Sequence, residues 1–315
     1  MNNWIKLGNI YHPKQHGTLC SSHAQLPIIA KGGDPKETLV FFTGRDANNR
    51  SLPFVAELRF KDDRFELRPL KEGPVMNLGR IGAFDDSGVM PTSALWVDGE
   101  LYVYYIGWNT RQTVPYQNAV GLARFSRQDL RMERVFEGPV LDRSRNEPFF
   151  VGTMDVHLID GVWKAWYLSC TEWRELDDHM EPRYLIKFAE SEDGLSWQRD
   201  GTVSVPYLND DEAIAGASVL PTKNGFHIYY TYRSILNYRT DPSRSYRIGF
   251  GESLDGRQFK RLDSTMNAFS MNRAQWESEM QAYPHVFDWN DSRMMLYNGN
   301  GFGQSGIGLA KMMDG

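Results

Sequence analysis

The sequence predicts an all-β protein, a single five-bladed β-propeller with about four strands per blade over residues 1–315. Three observations carry that prediction. A unit of about 63 residues recurs five times, and five such units account for all 315 residues. Each unit holds an apolar run that turns aromatic, with matching positions Val40, Tyr102, Lys164, His227 and Met294 lying 62, 62, 63 and 67 residues apart. On either side stands a further run that alternates or stays apolar over five to eight residues, the period of strands and not of helices. A period of this size with several strands per repeat is the pattern of a propeller, whose blades cannot bury their faces alone.

The elements follow in order within each repeat. The first strand of each blade is read in SSHAQLPIIA from Ser21, SGVMPTSALWV from Ser87, VGTMDVHLI from Val151, AIAGASVLP from Ala213 and MQAYPHVF from Met280. The second is the aromatic run: LVFFTGRD from Leu39, LYVYYIGWN from Leu101, WKAWYLSC from Trp163, FHIYYTYRS from Phe226 and MMLYNGNG from Met294. Across a polar loop come FVAELRF, NAVGLARF, YLIKFAES, YRIGFGES and GIGLAKMM as third strands. Asp193-Gly194 and Asp255-Gly256 read as turns leading to an outer aromatic, Trp197 or Phe259. The chain ends Met312-Met313-Asp314-Gly315 and begins Met1-Asn2-Asn3-Trp4-Ile5-Lys6, so the N-terminus reads as the missing outer strand of the fifth blade. Such a strand closes the ring and covers an open edge.

Composition narrows the class. At 41% hydrophobic and 24% charged the chain is ordinary for a globular protein. A net charge of −5 with no basic block gives no reason to expect nucleic acid or an anionic membrane as partner. No apolar stretch approaches transmembrane length, and the N-terminus lacks the pattern of a signal peptide. The two cysteines, Cys20 and Cys170, are too few for a disulfide framework, and a cytoplasmic location is expected.

A propeller places its chemistry at the mouth of the central tunnel, lined by the first strands. Aligned on Pro27, Pro91, Asp155, Ala217 and Pro284, the positions five residues upstream are Ser22, Asp86, Phe150, Glu212 and Glu279. Three carboxylates thus share one address. Loops after the second strands add Arg45, Asp46, Asn109, Glu172, Arg233 and Asn300, and His23 lies beside the first station. Acids, amides, arginines and aromatics around a narrow mouth suit a sugar. Paired carboxylates are what acetal cleavage requires. The competing structural reading gives Asp86 a turn, Glu279 a loop anchor, and Arg45 and Arg233 local acid partners. No histidine or cysteine spacing fits a transition metal, so no cofactor is expected; calcium would find oxygen ligands, but no loop demands it.

FDDSGVMP with LYVYYIGWN, EAIAGASV with HIYYTYRS, the YRIGFGES-x-DG turn, and AYPHV with LYNGNGFG resemble the propeller superfamily of glycoside hydrolases. That superfamily includes families 43, 32, 68 and 130. The resemblance covers the whole chain as blade architecture. It implies carboxylate general acid/base cleavage or transfer of a glycosidic bond in an oligosaccharide or glycoside, with Glu212 as acid, Asp86 as base and Glu279 as third carboxylate. His23, Arg45, Asp46, Asn109, Glu172, Arg233 and Asn300 would bind substrate. The pattern departs at the first blade, where SSHAQLP carries no acid, and at the third, where Asp155 stands in mid-strand. Two alternatives stay open: a phosphorylase or transglycosylase whose arginines hold an anionic group, and a saccharide-binding propeller without turnover.

Overall fold

The computed structural model describes residues 3–13, 22–33, 38–176, 179–270 and 273–313. Each aromatic repeat folds into an antiparallel four-stranded unit. The first unit is β2 (Ser22–Lys31), β3 (Leu39–Arg45), β4 (Ser51–Lys61) and β5 (Arg64–Pro69). The second is β6 (Gly88–Val97), β7 (Glu100–Thr110), β8 (Tyr116–Ser126) and β9 (Arg131–Arg134). The third is β10 (Val151–Ile159), β11 (Val162–Glu175), β12 (Met180–Ser191) and β13 (Val203–Val205). The fourth is β14 (Glu212–Thr222), β15 (Gly225–Ser234), β16 (Arg247–Ser253) and β17 (Lys260–Arg261). The last sheet runs in the order β1-β20-β19-β18, from β18 (Ala282–Trp289), β19 (Ser292–Asn298), β20 (Ile307–Met312) and β1 (Trp4–Tyr11).

The second strand of each unit is buried on both sides, which is why it reads as a continuous apolar run. Phe41, Phe42, Tyr104, Tyr105, Trp166, Tyr167, Tyr229 and Tyr230 are all essentially inaccessible. The apolar layers lie between successive units. Phe41 and Val55 pack with Val89 and Val103, Leu95 and Tyr104 with Val156 and Tyr167, and Trp166 and Phe188 with Ile228 and Tyr230. Tyr229 and Phe250 pack with Val286 and Met295, and Leu296 and Leu309 with Val40 and Phe54, so the last unit also meets the first.

Polar contacts follow the same succession. The first and second units join through a short parallel pairing, Ala30 with Ala94 and Lys31 with Leu95, giving one eight-stranded sheet. Thr92 Oγ1 accepts from Met154 N at 2.8 Å, Asp155 Oδ2 from Val219 N at 2.7 Å, and Ser218 Oγ from Val286 N at 2.9 Å. Asn298 Nδ2 donates to Ala24 O at 2.6 Å and its Oδ1 accepts from Leu26 N at 2.9 Å. The two Asp-Gly turns are docking points for the preceding unit. Tyr104 donates its hydroxyl to Gly194 O at 2.8 Å and Trp166 its indole N–H to Gly256 O at 2.7 Å. Gly194 has φ 72°, a left-handed turn that leaves room for the tyrosine.

The N-terminal segment is paired as the sequence suggests for the residues described: Trp4 faces Met312 and Ile5 faces Lys311 in an antiparallel register. Met1, Asn2, Asp314 and Gly315, which also entered that expectation, lie outside the described residues, as does Cys20. Trp4 is buried edge-on against Tyr229 and Phe269, with ring centroids 5.7 and 6.5 Å away. Among the described residues no helix is long and apolar enough to cross a membrane. Truncation of Trp4 to alanine is expected to cost about 3–5 kcal/mol, as for a large core aromatic. Denaturant unfolding checks this, and a loss below about 1 kcal/mol would mean that β1 contributes little to the edge of the last sheet.

Candidate functional site

The first strand of every unit is irregular where it nears its neighbours. Pairing slips between Gln25 and Ile28, Pro91 and Ser93, Val151 and Met154, Ala215 and Ser218, and Ala282 and His285. Bulges of this kind re-aim side chains beside binding sites. At three of them the backbone turns left-handed, Leu26 at φ 51°, Gly216 at 64° and Tyr283 at 53°. Gly216 is needed there on two counts, its φ and the Tyr283 ring 3.1 Å from where a Cβ would stand. The five irregular strands converge on a cavity of about 560 Å³, to which they bring Gln25, Met90, Thr153, Ala215 and Tyr283.

Aromatic side chains form much of its wall: Trp108, Tyr116, Phe150, Tyr184, Tyr246 and Phe302. Three arginines reach it, Arg45 from the end of β3, Arg233 from β15, and Arg239 from the loop after β15. Arg233 is wholly enclosed. Its Cζ lies 3.8 Å from the Tyr238 ring centre, its Nε donates to the hydroxyls of Tyr184 and Tyr246 at 3.0 and 3.2 Å, and Nη2 meets Glu181 at 3.4 Å. The guanidinium is thereby held protonated, burial being outweighed by the tyrosines and Glu181. Arg45 differs. It donates to Asn49 Oδ1 at 2.9 Å and to Gln25 Oε1 at 3.4 Å, and its buried Nε has no partner. Burial, with Arg239 nearby, lowers the pKa of Arg45. His23, next to this guanidinium and bonded through Nδ1 to Ser22 Oγ at 2.7 Å, is pushed down to about 4 by burial and then by Arg45. It is neutral at pH 7.

None of the lining residues is an aspartate or glutamate. Of the ten residues expected from sequence, the structure brings Arg45 and Arg233 to the cavity and spends the others elsewhere. Glu212 is buried in a fork with Arg261, Nη1–Oε2 at 2.7 Å and Nη2–Oε1 at 2.8 Å, and accepts from Leu208 N. Asp86 closes its own turn, accepting from Gly82 N at 2.9 Å and Ser87 Oγ at 2.8 Å. Glu279 is exposed, and its backbone N–H is what matters, donating to Asn300 Oδ1 at 2.9 Å. Asn300 is a loop pin, since its Nδ2 donates to Gln275 O. Asp46 binds the amides of Asn48 and Arg50 and the Arg50 side chain. Glu172 pairs with Arg174 and Arg183 on the surface, and Asn109 Nδ2 makes a long contact, 3.4 Å, to Ala83 O. His23 adjoins Arg45 without lining the cavity.

Near that address four units carry an acid clamp, and Glu212 alone belongs to both sets. Asp85 meets Arg134 of β9, Glu147 meets Arg199 just before β13, Glu212 meets Arg261 of β17, and Glu277 meets Lys6 of β1, all at 2.7–2.8 Å. A second-strand tyrosine joins two of these acids directly, Tyr105 at 3.2 Å to Asp85 and Tyr167 at 3.1 Å to Glu147. Each clamp ties the segment leading into the first strand to the outermost strand, so its acid is consumed by structure.

Deeper between the first strands lies a second polar cluster. Lys31 pairs with Asp155 and contacts His157 Nε2 at 3.1 Å, and His157 lies 3.1 Å from Asp155 Oδ2. Lys31 and His157 hold the Asp155 carboxyl far below its usual range despite burial. His285, also buried, is pushed down to about 3 by burial and then by Lys31. Among the described residues no group of three or more His, Cys, Asp or Glu could hold a metal ion. Burial raises the Cys170 thiol to about 12, which makes it a core residue.

The residues that the sequence did not disclose are Gln25, Thr153, Tyr116, Tyr238, Arg239 and Tyr283. The strand bulges were signalled faintly by the Pro at the same station of three repeats. Tyr238 and Arg239 sit in a loop with no counterpart in the other repeats, and nothing in the period points to them.

No protein-family model matches the chain. It is 29% identical over 310 residues to an uncharacterized protein of Mycobacterium tuberculosis, Rv1502 in strain H37Rv and MT1551 in strain CDC 1551, covering 98% of both proteins. Similar solved structures are glycoside hydrolases. A complex of BT0996 with RGII has a TM-score of 0.72 at 16% identity, covering 98% of this protein and 91% of that one. A thermostable family-43 glycoside hydrolase gives 0.61 at 14%, covering 93% and 91%. A structure from the GH130 family of mannoside phosphorylases, which contains hydrolases targeting β-1,2 mannosidic linkages in Candida mannan, gives 0.61 at 16%, covering 99% and 90%. The protein thus has the fold of the glycoside hydrolases of families 43, 32 and 130, in agreement with the resemblance in its sequence.

Two outcomes follow for stability. Glu212→Gln is expected to cost of the order of 3 kcal/mol, because it strips a buried guanidinium of its fork and leaves only Asp263 beside it. Chemical unfolding checks this; a fully stable variant would return Glu212 to the list of functional acids. Acid is expected to weaken the fold below pH 6.5. His157 and His285 bind protons less readily folded than unfolded, so stability is present above about 6.5 and is lost as pH falls. Each contributes a slope of up to about 1.4 kcal/mol per pH unit. Melting between pH 7.5 and 4.5 should show a shallower decline in His285→Leu; an unchanged decline would refute the assignment.

Proposed function

We propose that the five four-stranded units are the blades of one closed propeller domain, and that the cavity at the bulged ends of the first strands is a saccharide site. Its dimensions suit one or two sugar rings, its tyrosines and Trp108 offer faces for pyranose stacking, and Gln25, Asn49, Asn118 and Thr153 supply hydroxyl partners. The fold shared with glycoside hydrolases supports the same ligand class.

The observation that carries this reading is that, among the described residues, no carboxylate lines the cavity. Retaining and inverting hydrolysis both need two carboxyl groups flanking the scissile bond. Asp86 and Glu212 are bonded elsewhere, and Glu279 is exposed and outside the lining. Glu181, behind the wall, is shared by Arg233, Arg239 and Tyr238. Tyr116 and Tyr283 cannot take over as bases, since burial raises their hydroxyls well above the ordinary phenol range. Our reading is that the protein recognises a saccharide without hydrolysing it through a carboxylate pair. A second reading is favoured by the arginines: phosphorolysis, in which an arginine-held hydrogen phosphate attacks the anomeric carbon and its proton passes to the leaving glycosidic oxygen, so that no carboxylate base is needed.

Incubation with a broad panel of oligosaccharides and aryl glycosides, followed by mass-resolved product analysis and calorimetric binding, separates the two. Binding with no release, with or without phosphate, is the expected result. Release only with phosphate would select the second reading. Phosphate-independent release that disappears in Glu212→Gln would overturn both and restore the carboxylate mechanism.

A further inference from the structure

The charges around the cavity do not balance. Among the described residues three arginines line it and one buried glutamate, Glu181, stands behind them. Glu181 is spent on Arg233, whose Nε, Nη1 and Nη2 all have acceptors. Counting Arg45, Arg233 and Arg239 against Glu181 leaves two positive charges.

Arg45 carries one of them. Among the described residues no carboxylate lies within salt-bridge reach of it, and only two of its nitrogens, Nη1 and Nη2, find acceptors, both of them side-chain amides. Its Nε is buried and unpartnered. Arg134, Arg199, Arg233 and Arg261 each face a carboxylate, and Arg247 and Arg273, which do not, bond backbone carbonyls, whereas Arg45 meets only two side-chain amides at the cavity. A guanidinium withdrawn from water without a counter-charge is costly, and such groups mark functional sites. Arg239 supplies the second charge. It is 57% exposed and reaches Glu181 at 3.4 Å while stacking over Tyr238 and Phe302. Arg45 and Arg239 are close enough for each other's charge to be felt. Tyr116 and Tyr283 line the same cavity.

We infer that the ligand of this cavity is a saccharide bearing an oxyanion, a phosphate ester or a carboxylate, gripped by Arg45 and Arg239 while its ring lies against the aromatic wall. The inference rests on the saccharide reading of the cavity and adds the charge. A guanidinium fork matches the paired oxygens of either anion, and the unpartnered Nε of Arg45 is the donor left for one of them. Neutral sugars lack the group that would compensate these charges.

The test is calorimetric titration of the full chain, in phosphate-free buffer at pH 7, with hexose 1-phosphates, hexuronates, the matching neutral methyl hexosides and inorganic phosphate. At least one anionic sugar should bind about tenfold or more tightly than its neutral counterpart, and which class does so names the anion. That advantage should shrink as salt rises from about 50 to about 500 mM. It should fall below about threefold in Arg45→Gln and in Arg239→Gln, with Arg45→Lys intermediate because it keeps charge and loses the fork. Should Arg45→Gln fail a melting control, Arg239→Gln decides, since that side chain is largely exposed. Equal binding of neutral and anionic sugars, or a preference that survives both substitutions, overturns the anion clamp and leaves the saccharide reading standing. Binding of inorganic phosphate alone, lost in Arg45→Gln, upholds the clamp and overturns the saccharide reading. No binding by any probe overturns both.

Discussion

The structure depends on one repeated buried ion pair, between an acid in the segment leading into a unit's first strand and a cation on or beside its outermost strand. Asp85–Arg134, Glu147–Arg199, Glu212–Arg261 and Glu277–Lys6 place it at or within a few residues of the start of the first strand in four units. A four-stranded sheet has its weakest pairing at the outer edge, where β13 and β17 are only three and two residues long. Backbone hydrogen bonds there are few, so a charge-assisted bond that reaches across the sheet fixes the edge in place. Leaving either partner alone in the interior would be expensive, which makes the pair a strong specifier of register. In the first unit the corresponding segment falls outside the described residues, and Phe42 stands where other units have a tyrosine beside the clamp.

The clamp also explains why the cavity has the chemistry it has. Four acids near the start of the first strands, Asp85, Glu147, Glu212 and Glu277, are tied to the sheet edge. What remains at the bulges is set by the first strands themselves, an amide, a thioether, a hydroxyl, a methyl and a phenol from Gln25, Met90, Thr153, Ala215 and Tyr283. The electrostatics of the mouth then come from second strands and loops, through Arg45, Arg233 and Arg239. Farther along the same strands, Lys31, Asp155 and His157 bond one another, and the buried His285 stands near enough to feel their charges. Asp155 also accepts from Val219 N, so the acid that the sequence placed in mid-strand joins two neighbouring units.

Much of the fold was legible because strand burial is written locally. Leu101 to Trp108 is apolar at nearly every position, as a strand covered on both faces must be, and the same run recurs at a fixed period. The Asp-Gly turns were legible because their conformation needs those residues; Asp193 Oδ1 accepts from the amides of Leu195 and Ser196. The site was less legible. Arg45 and Arg233 stood out as charges at the ends of apolar runs. Tyr238, Arg239 and Tyr283 did not, because a loop without a counterpart and a left-handed bulge residue leave no periodic trace.

The sequence by itself determined three strands of each repeat, their order and the burial of the second, since those follow from hydropathy within a span of eight to ten residues. It determined that acids recur at one station. Only the tertiary structure decided what those acids do, because the ionic state and direction of a carboxylate depend on a partner far along the chain. Glu212 and Arg261 are 49 residues apart, and Lys6 and Glu277 stand at opposite ends of the protein. The same holds in reverse for Arg45, which meets no carboxylate among the described residues, a fact of packing in three dimensions.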